Sequence, residues 1–293
     1  MPGGHVGTSA MVATGQGLVV VKRHSARFGL DRIQLAAEAH RHAALAGLAP
    51  QPLTTASGQL TAFVDGTSYL LTEYIEAAEP PTRNDLAQTL AALHAHFECL
   101  QPASRCPDFV QLPNPPTAGL ERVLKHTTAP AVREAVVWRW DILTKHGLAP
   151  RVTSALRHHW IHGDASPDNL LMLRTPARRS FIDFDQVSRF PRPYEIVRAF
   201  LATVDTRISP PELRSSFRHY LDAYQVVLPL HAADRAVMID LYITVQAAET
   251  RTFTTPEGEV RRMRDFTHAR RQRLTWLIRN RDLLHDTAEE VTA

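Results

Sequence analysis

A chain of 293 residues can bury a large core, as one big domain or as two lobes. Apolar residues make up 44% and charged residues 22%, ordinary values for a soluble globular protein. The net charge of +3, from 33 basic and 30 acidic residues, excludes a broad nucleic-acid-binding surface. Cys99 and Cys106 stand without a zinc-spaced histidine, so reduced thiols in a cytoplasmic protein are expected. The longest early apolar run, 18–21, is too short to span a bilayer, and no membrane partner is expected. Only Lys22, Lys125 and Lys145 among the basic residues are lysine, and Lys22 closes an apolar strand. Lysine is a compact point charge, suited to a place between phosphates and a carboxylate.

Five of the 13 glycines fall within the first 17 residues. Gly3-Gly4-His5-Val6-Gly7-Thr8-Ser9 reads as a loop whose backbone N–H groups can approach phosphates, through Gly4 and Gly7; plain terminal flexibility is the alternative. Residues 11–14 and 18–22 read as a hairpin turning at Gly15-Gln16-Gly17. Residues 31–46 read as a helix, with Asp31 as N-cap, Gln34 at the capping-box position and Gly47 as the stop. Strands are expected over 59–64 and 67–74 around the turn Asp65-Gly66, running into Glu73-Tyr74-Ile75-Glu76.

From Arg83 the pattern turns helical, with Leu86, Leu90, Leu93 and Phe97 on one face and His94 packed beside it. Residues 101–116 are a Pro-rich loop, and 117–145 resume helical character, with Trp138 and Trp140 as core or substrate wall. Helices are expected at 194–203, 211–227, 232–250 and 260–284, with 286–293 frayed. Arg261, Arg262, Arg264, Arg270, Arg271 and Arg273 are most simply a solvated face; the other reading is that some hold an anionic acceptor or a nucleotide phosphate.

The most informative stretch is His162-Gly163-Asp164-Ala165-Ser166-Pro167-Asp168-Asn169, followed by Phe181-Ile182-Asp183-Phe184-Asp185. One carboxylate, Asp164, suits an acceptor hydroxyl, and the Asn169 amide oxygen five residues on can reach a divalent ion. Asp183 ends a short apolar strand and offers a second hard oxygen ligand. Mg²⁺ keeps waters and substrate phosphates in its shell, so two protein ligands suffice. Phosphoryl transfer needs positioning and charge neutralisation rather than covalent chemistry. Turn formation by Asp164 and Asp168 beside Pro167, with Asn169 as a helix cap, is the alternative.

The two segments resemble the catalytic loop and metal-binding strand of the aminoglycoside phosphotransferase and choline kinase-like group, relatives of protein kinases. That group shows H-G-D-x-x-x-x-N followed by I-D-F/W-D/E, as this chain does. Protein kinases carry Arg where Gly163 stands and Lys where Ser166 stands, so the small-molecule branch is indicated.

The resemblance implies an α+β, two-lobed protein-kinase-like fold: a small N-terminal antiparallel sheet with one helix, then a larger, mainly helical C-terminal lobe. Residues 1–75 would bind nucleotide and 76–293 would carry catalysis and the substrate site. Lys22 would hold the phosphates of ATP or GTP, tethered by Glu38, although a glutamate on a solvated helix face is commonplace. Glu73 C=O and Ile75 N–H would meet the base. Asn169 and Asp183 would hold Mg²⁺, Asp164 would act on the hydroxyl, and Asp185 and His162 would assist nearby. The group also has a strand before its phosphate loop, for which this chain has no room. The implied activity is phosphorylation of a small-molecule hydroxyl, on an antibiotic or natural-product intermediate, by a monomer or homodimer. An amino alcohol or hydroxy amino acid of primary metabolism is the alternative acceptor. A non-catalytic nucleotide-binding protein is the alternative from another class.

Overall fold

The computed structural model describes residues 7–15, 17–25, 28–100, 114–173, 179–250, 253 and 260–291, with the side chains of 260–267 left aside. The expected loop residue Gly4 and most of the Pro-rich 101–116 stretch lie outside the described residues. The fold is α+β, a small antiparallel sheet followed by a mostly helical remainder. It divides into two compact units, one of Met1–Phe109, His159–Phe190 and Ala223–Leu228, the other of Val110–His158, Pro191–Asp222 and Pro229–Ala293.

In the first unit, β1 (Gly7–Thr14) and β2 (Gly17–His24) form an antiparallel hairpin. Gly17 takes φ +125°, a backbone conformation that L side chains rarely adopt, and Thr14 Oγ1 donates to its carbonyl at 2.8 Å. Gly7, Thr8 and Ser9 pair with His24, Arg23 and Lys22. Gly7 is the first residue of β1, opposite His24 at the end of the ladder. Strands β3 (Thr61–Val64) and β4 (Thr67–Glu73) turn at Asp65 and Gly66. Both turn residues have positive φ, 47° and 74°, as a two-residue turn matched to strand twist requires. The sheet order is β1-β2-β4-β3, antiparallel throughout.

Helix α1 (Leu30–Leu45) starts at Gly29 with no side-chain cap, so Asp31 lies in the first turn rather than at the N-cap. Its end is a Schellman motif: Gly47, at φ 72°, donates to Ala44 C=O and Leu48 donates to Ala43 C=O, both at 2.9 Å. Ile33, Ala36, Ala37, His40, Ala43 and Ala44 form its buried side, while Gln34, Glu38, Arg41 and Leu45 share the exposed one. Helix α2 (Arg83–Phe97) opens on a reciprocal capping box between Thr82 and Asp85. It buries Leu86, Leu90, Leu93 and Phe97; each contributes roughly 1.5–3 kcal/mol by leaving water. His94 on that helix is buried, with Nδ1 2.7 Å from Tyr224 Oη.

Four short strands complete the first unit. β5 (His159–Ile161) pairs with β8 (Ser188–Phe190), and β6 (Leu170–Met172) pairs with β7 (Arg179–Phe181), both antiparallel. The inner pair is nested in the outer, so the loop after β5 and the turn after β7 leave from the same end. Arg179 anchors β7 to α2, with Nη2 2.7 Å from Asp85 Oδ1 and Nη1 donating to Gln88 Oε1 at 2.8 Å.

The second unit is helical. The expected stretch 117–145 divides into α3 (Ala118–His126) and α4 (Pro130–His146), because Pro130 lacks an N–H and starts a new helix. A single turn, α5 (Pro150–Thr153), is followed by α6 (Arg192–Ala202), α7 (Pro210–Gln225) and α8 (Ala232–Ala248). The last expected helix divides at Asn280 into α9 (Val260–Arg279) and α10 (Arg281–Glu290), so 286–290 are helical rather than frayed. Helix α8 packs against α4, α6 and α10 and buries Met238, Ile239, Leu241, Tyr242, Ile243 and Val245. Arg281 grips Asp240 bidentately at 2.7 Å and 2.7 Å, and buried Arg139 donates to the Glu249 carbonyl at the end of α8.

Three of the C-terminal arginines have described side chains, and each is engaged. Arg270 lies 3.6 Å from Glu249, Arg271 covers the Trp138 ring at 5.1 Å, and Arg273 donates to Leu201 C=O at 3.0 Å. These contacts fix helices to one another. The side chains of Arg261, Arg262 and Arg264 lie outside the description. No helix among the described residues is long and apolar enough to cross a membrane.

Candidate active site

The nested ladders place the Asp164 loop and the Asp183 turn side by side. Ile182 N–H donates to Asn169 C=O at 2.9 Å, continuing the β6–β7 pairing into the two loops. His162, wholly buried, ties them again. Its Nδ1 accepts from Asp164 N–H at 3.3 Å, so Nε2 carries the proton that faces Ile182 C=O at 3.0 Å. The ring sits between Phe181 and Phe184, at centroid distances of 5.1 and 4.7 Å. His162 is thus a buried joint between the two loops.

Gly163 makes the sharp bend between His162 and Asp164 possible. It has φ +79°, and a Cβ there would lie 2.0 Å from the Gln186 carbonyl oxygen. A protein-kinase arginine could not stand in this loop without moving backbone.

Asp164 is half-buried, and Asn169 donates from Nδ2 to its carbonyl at 2.8 Å and to its Oδ2 at 3.3 Å. The amide nitrogen is therefore committed to Asp164, which leaves the Asn169 oxygen as the atom that could meet a cation. Asp183 adopts φ 64°, ψ 64°, the left-handed region that a short polar side chain tolerates better than most. Its carboxylate caps the 3₁₀ turn Phe184–Gln186 and is 40% exposed, the most open of the acidic groups around Lys22.

Lys22 reaches this turn from β2. Its Nζ lies 2.7 Å from Asp183 Oδ1 and 2.8 Å from Asp185 Oδ1. The expected partner, Glu38, is exposed on the far face of α1, and no ion pair joins it to Lys22 among the described residues. Positions 34, 38, 41 and 45 lie along one solvated stripe of the helix, so Glu38 stays in water.

Asp185 is buried. Burial alone would push its carboxyl up, but His24 and Lys22 outweigh burial and hold it below the usual carboxylate range. Asp183 and Asp185 share the Lys22 ammonium, and of the two carboxylates Asp183 is the one left open to solvent. That donor set, one exposed carboxylate and one free amide oxygen, fits a hard divalent cation that brings phosphate oxygens with it. No group of three or more His, Cys, Asp or Glu that could hold a metal alone occurs among the described residues.

Sequence reasoning missed Arg32 and His40. Arg32 of α1 donates to Asp185 C=O from Nε at 3.1 Å and Nη2 at 2.6 Å. His40, buried with Nε2 2.8 Å from Pro50 C=O, packs its ring 4.9 Å from Phe184; burial pushes its pKa down to about 4. Glu73 ends β4 and Ile75 lies two residues beyond it: Tyr74 between them donates to Leu18 C=O at 3.3 Å, and Gln51 N–H donates to Glu73 Oε1 at 2.9 Å.

A lysine strand in a small sheet, one helix behind it, then an Asp loop and an Asp turn from nested ladders define a protein-kinase-like fold. The chain belongs to the phosphotransferase enzyme family, whose profile matches residues 3–230. No sequence match to a curated protein is found. Among solved structures, an amicoumacin kinase in complex with AMP-PNP, Ca²⁺ and Ami is 14% identical, with a TM-score of 0.64 over 93% of this chain and 86% of that one. A choline/ethanolamine kinase family protein from Mesorhizobium loti is 15% identical, with a TM-score of 0.58 over 99% and 96% of the two chains. A choline kinase from Cryptosporidium parvum is 13% identical, with a TM-score of 0.59 over 99% and 90%. At these identities the likeness is one of fold.

Proposed function

We propose that this protein is an ATP- or GTP-dependent phosphotransferase that phosphorylates a hydroxyl of a small molecule, an antibiotic or natural-product intermediate. Residues 1–75 form the nucleotide lobe in this reading and 76–293 the catalytic and substrate lobe. The observation that carries it is the gathering of Asp164, Asn169, Asp183 and Lys22 at the common end of two nested ladders. Asp164 orients the acceptor hydroxyl and takes its proton. Lys22 holds the phosphates, and Glu73 C=O and Ile75 N–H meet the base. The Asn169 oxygen and the Asp183 carboxylate hold Mg²⁺, which neutralises the phosphate charge that develops during transfer.

The acceptor class draws support from relatives whose printed names include an amicoumacin kinase and choline or ethanolamine kinases. An amino alcohol is therefore the second acceptor class. Measuring ADP release with MgATP across hydroxyl-bearing antibiotics and amino alcohols tests the reading. One compound that raises turnover well above hydrolysis supports it; nucleotide binding without turnover on any compound points to a non-catalytic protein.

A further inference from the structure

Two acidic side chains crowd one ammonium at the end of β2, and they differ in freedom. The Asp183 side chain is 40% exposed, that of Asp185 only 5%. Asp185 is held on several sides. Its Oδ1 receives Lys22 at 2.8 Å and faces His24 Nδ1 at 3.4 Å. Its carbonyl accepts both Nε and Nη2 of Arg32, at 3.1 and 2.6 Å, so the turn is fixed to α1 through the backbone. His24 follows Lys22 by two residues, on the same face of the strand. Glu38 sits on the solvated side of α1.

We infer that Asp185, in place of a glutamate from helix α1, is the positioning residue that holds Lys22 against the nucleotide phosphates. Asp183 is open enough to turn to a metal ion. Asp185 is enclosed, so Lys22 keeps one anionic partner when Asp183 leaves it. Arg32 then takes over the coupling of α1 to the site, through a main-chain oxygen that no side-chain substitution removes. The inference rests on the phosphotransferase reading above.

Calorimetric titration of the full chain with MgAMP-PNP tests it, with thermal unfolding as the check on folding. Lys22→Met and Asp185→Asn are each expected to weaken binding by about tenfold or more, and the double variant to bind no more weakly than Lys22→Met alone, because the two act as one unit. Glu38→Gln is expected to bind as the wild type does. Penalties that multiply in the double variant, or lost affinity in Glu38→Gln, would overturn the inference while leaving the reading intact. If Asp185→Asn does not fold, the Glu38→Gln result decides alone. A wild-type chain that binds no MgAMP-PNP would overturn both.

Discussion

Asn169 turns its amide nitrogen onto Asp164, 2.8 Å from the carbonyl oxygen and 3.3 Å from Oδ2, and thereby fixes which of its own atoms can meet a metal. The same contact orients the carboxylate proposed above as the base. Asp164→Ala is expected to lower transfer about hundredfold to ten-thousandfold while largely sparing nucleotide affinity, the range for loss of a positioned proton acceptor. Single-turnover rates and nucleotide titration on one preparation check this. A variant of near-normal turnover would remove Asp164 from its role.

Asp183→Ala separates metal binding from proton transfer. Lys22 keeps Asp185 as a partner, so the fold is expected to survive, whereas the Mg²⁺ dependence of nucleotide affinity is expected to disappear. Nucleotide titrations over a range of Mg²⁺ concentrations read this directly. An unchanged Mg²⁺ dependence would assign the metal elsewhere.

Gly163→Ala adds one methyl group at φ +79°, where its Cβ would lie 2.0 Å from Gln186 O and 2.7 Å from Gln186 C. Left-handed strain and displaced backbone together should cost about 2–4 kcal/mol. Urea unfolding measures it, and a change below about 0.5 kcal/mol would show that the loop and turn can move apart freely.

His40 gives the first unit an acid sensitivity. Its folded pKa of about 4 lies below the ordinary 6.5, so the unfolded chain binds more protons between those values. Stability should therefore be complete above pH 6.5 and fall as pH drops toward 4, by about 3 kcal/mol if this group acts alone. Asp185, with its lowered carboxyl, adds a further loss in the same direction at lower pH. Unfolding midpoints at pH 7 and pH 5 should differ in the wild type and differ less in His40→Gln. Equal slopes would place the sensitivity elsewhere.

The candidate site residues that were legible in the sequence are those carried within a short span. Asp164 and Asn169 share one loop, and Asp183 follows two short strands later, so local spacing sufficed. The turns at Asp65-Gly66 and Gly47 were equally legible, because positive φ demands particular residues. Lys22 and its partner belong to distant segments, and there the reading failed at Glu38. The helical stripe of 34, 38, 41 and 45 already marked that side as solvated. Lys22 and His24, two apart on a strand, already pointed to one face. Arg32 could not have been found, since a side chain that seeks a distant main-chain oxygen leaves no pattern. The helix breaks at Pro130 and Asn280 differ in kind: Pro130 was readable, whereas nothing at Asn280 distinguishes it from a tolerated helix residue.

The central claim is transfer of a phosphoryl group from nucleotide to a hydroxyl oriented by Asp164. The most direct measurement is transfer of the labelled γ-phosphate of MgATP to a panel of amino alcohols and hydroxyl-bearing antibiotics, with wild type and Asp164→Asn run side by side. The account predicts a labelled small-molecule product from the wild type and almost none from Asp164→Asn, with nucleotide affinity alike in both. Equal product from the two proteins, or labelled phosphate released only to water by the wild type, would contradict it.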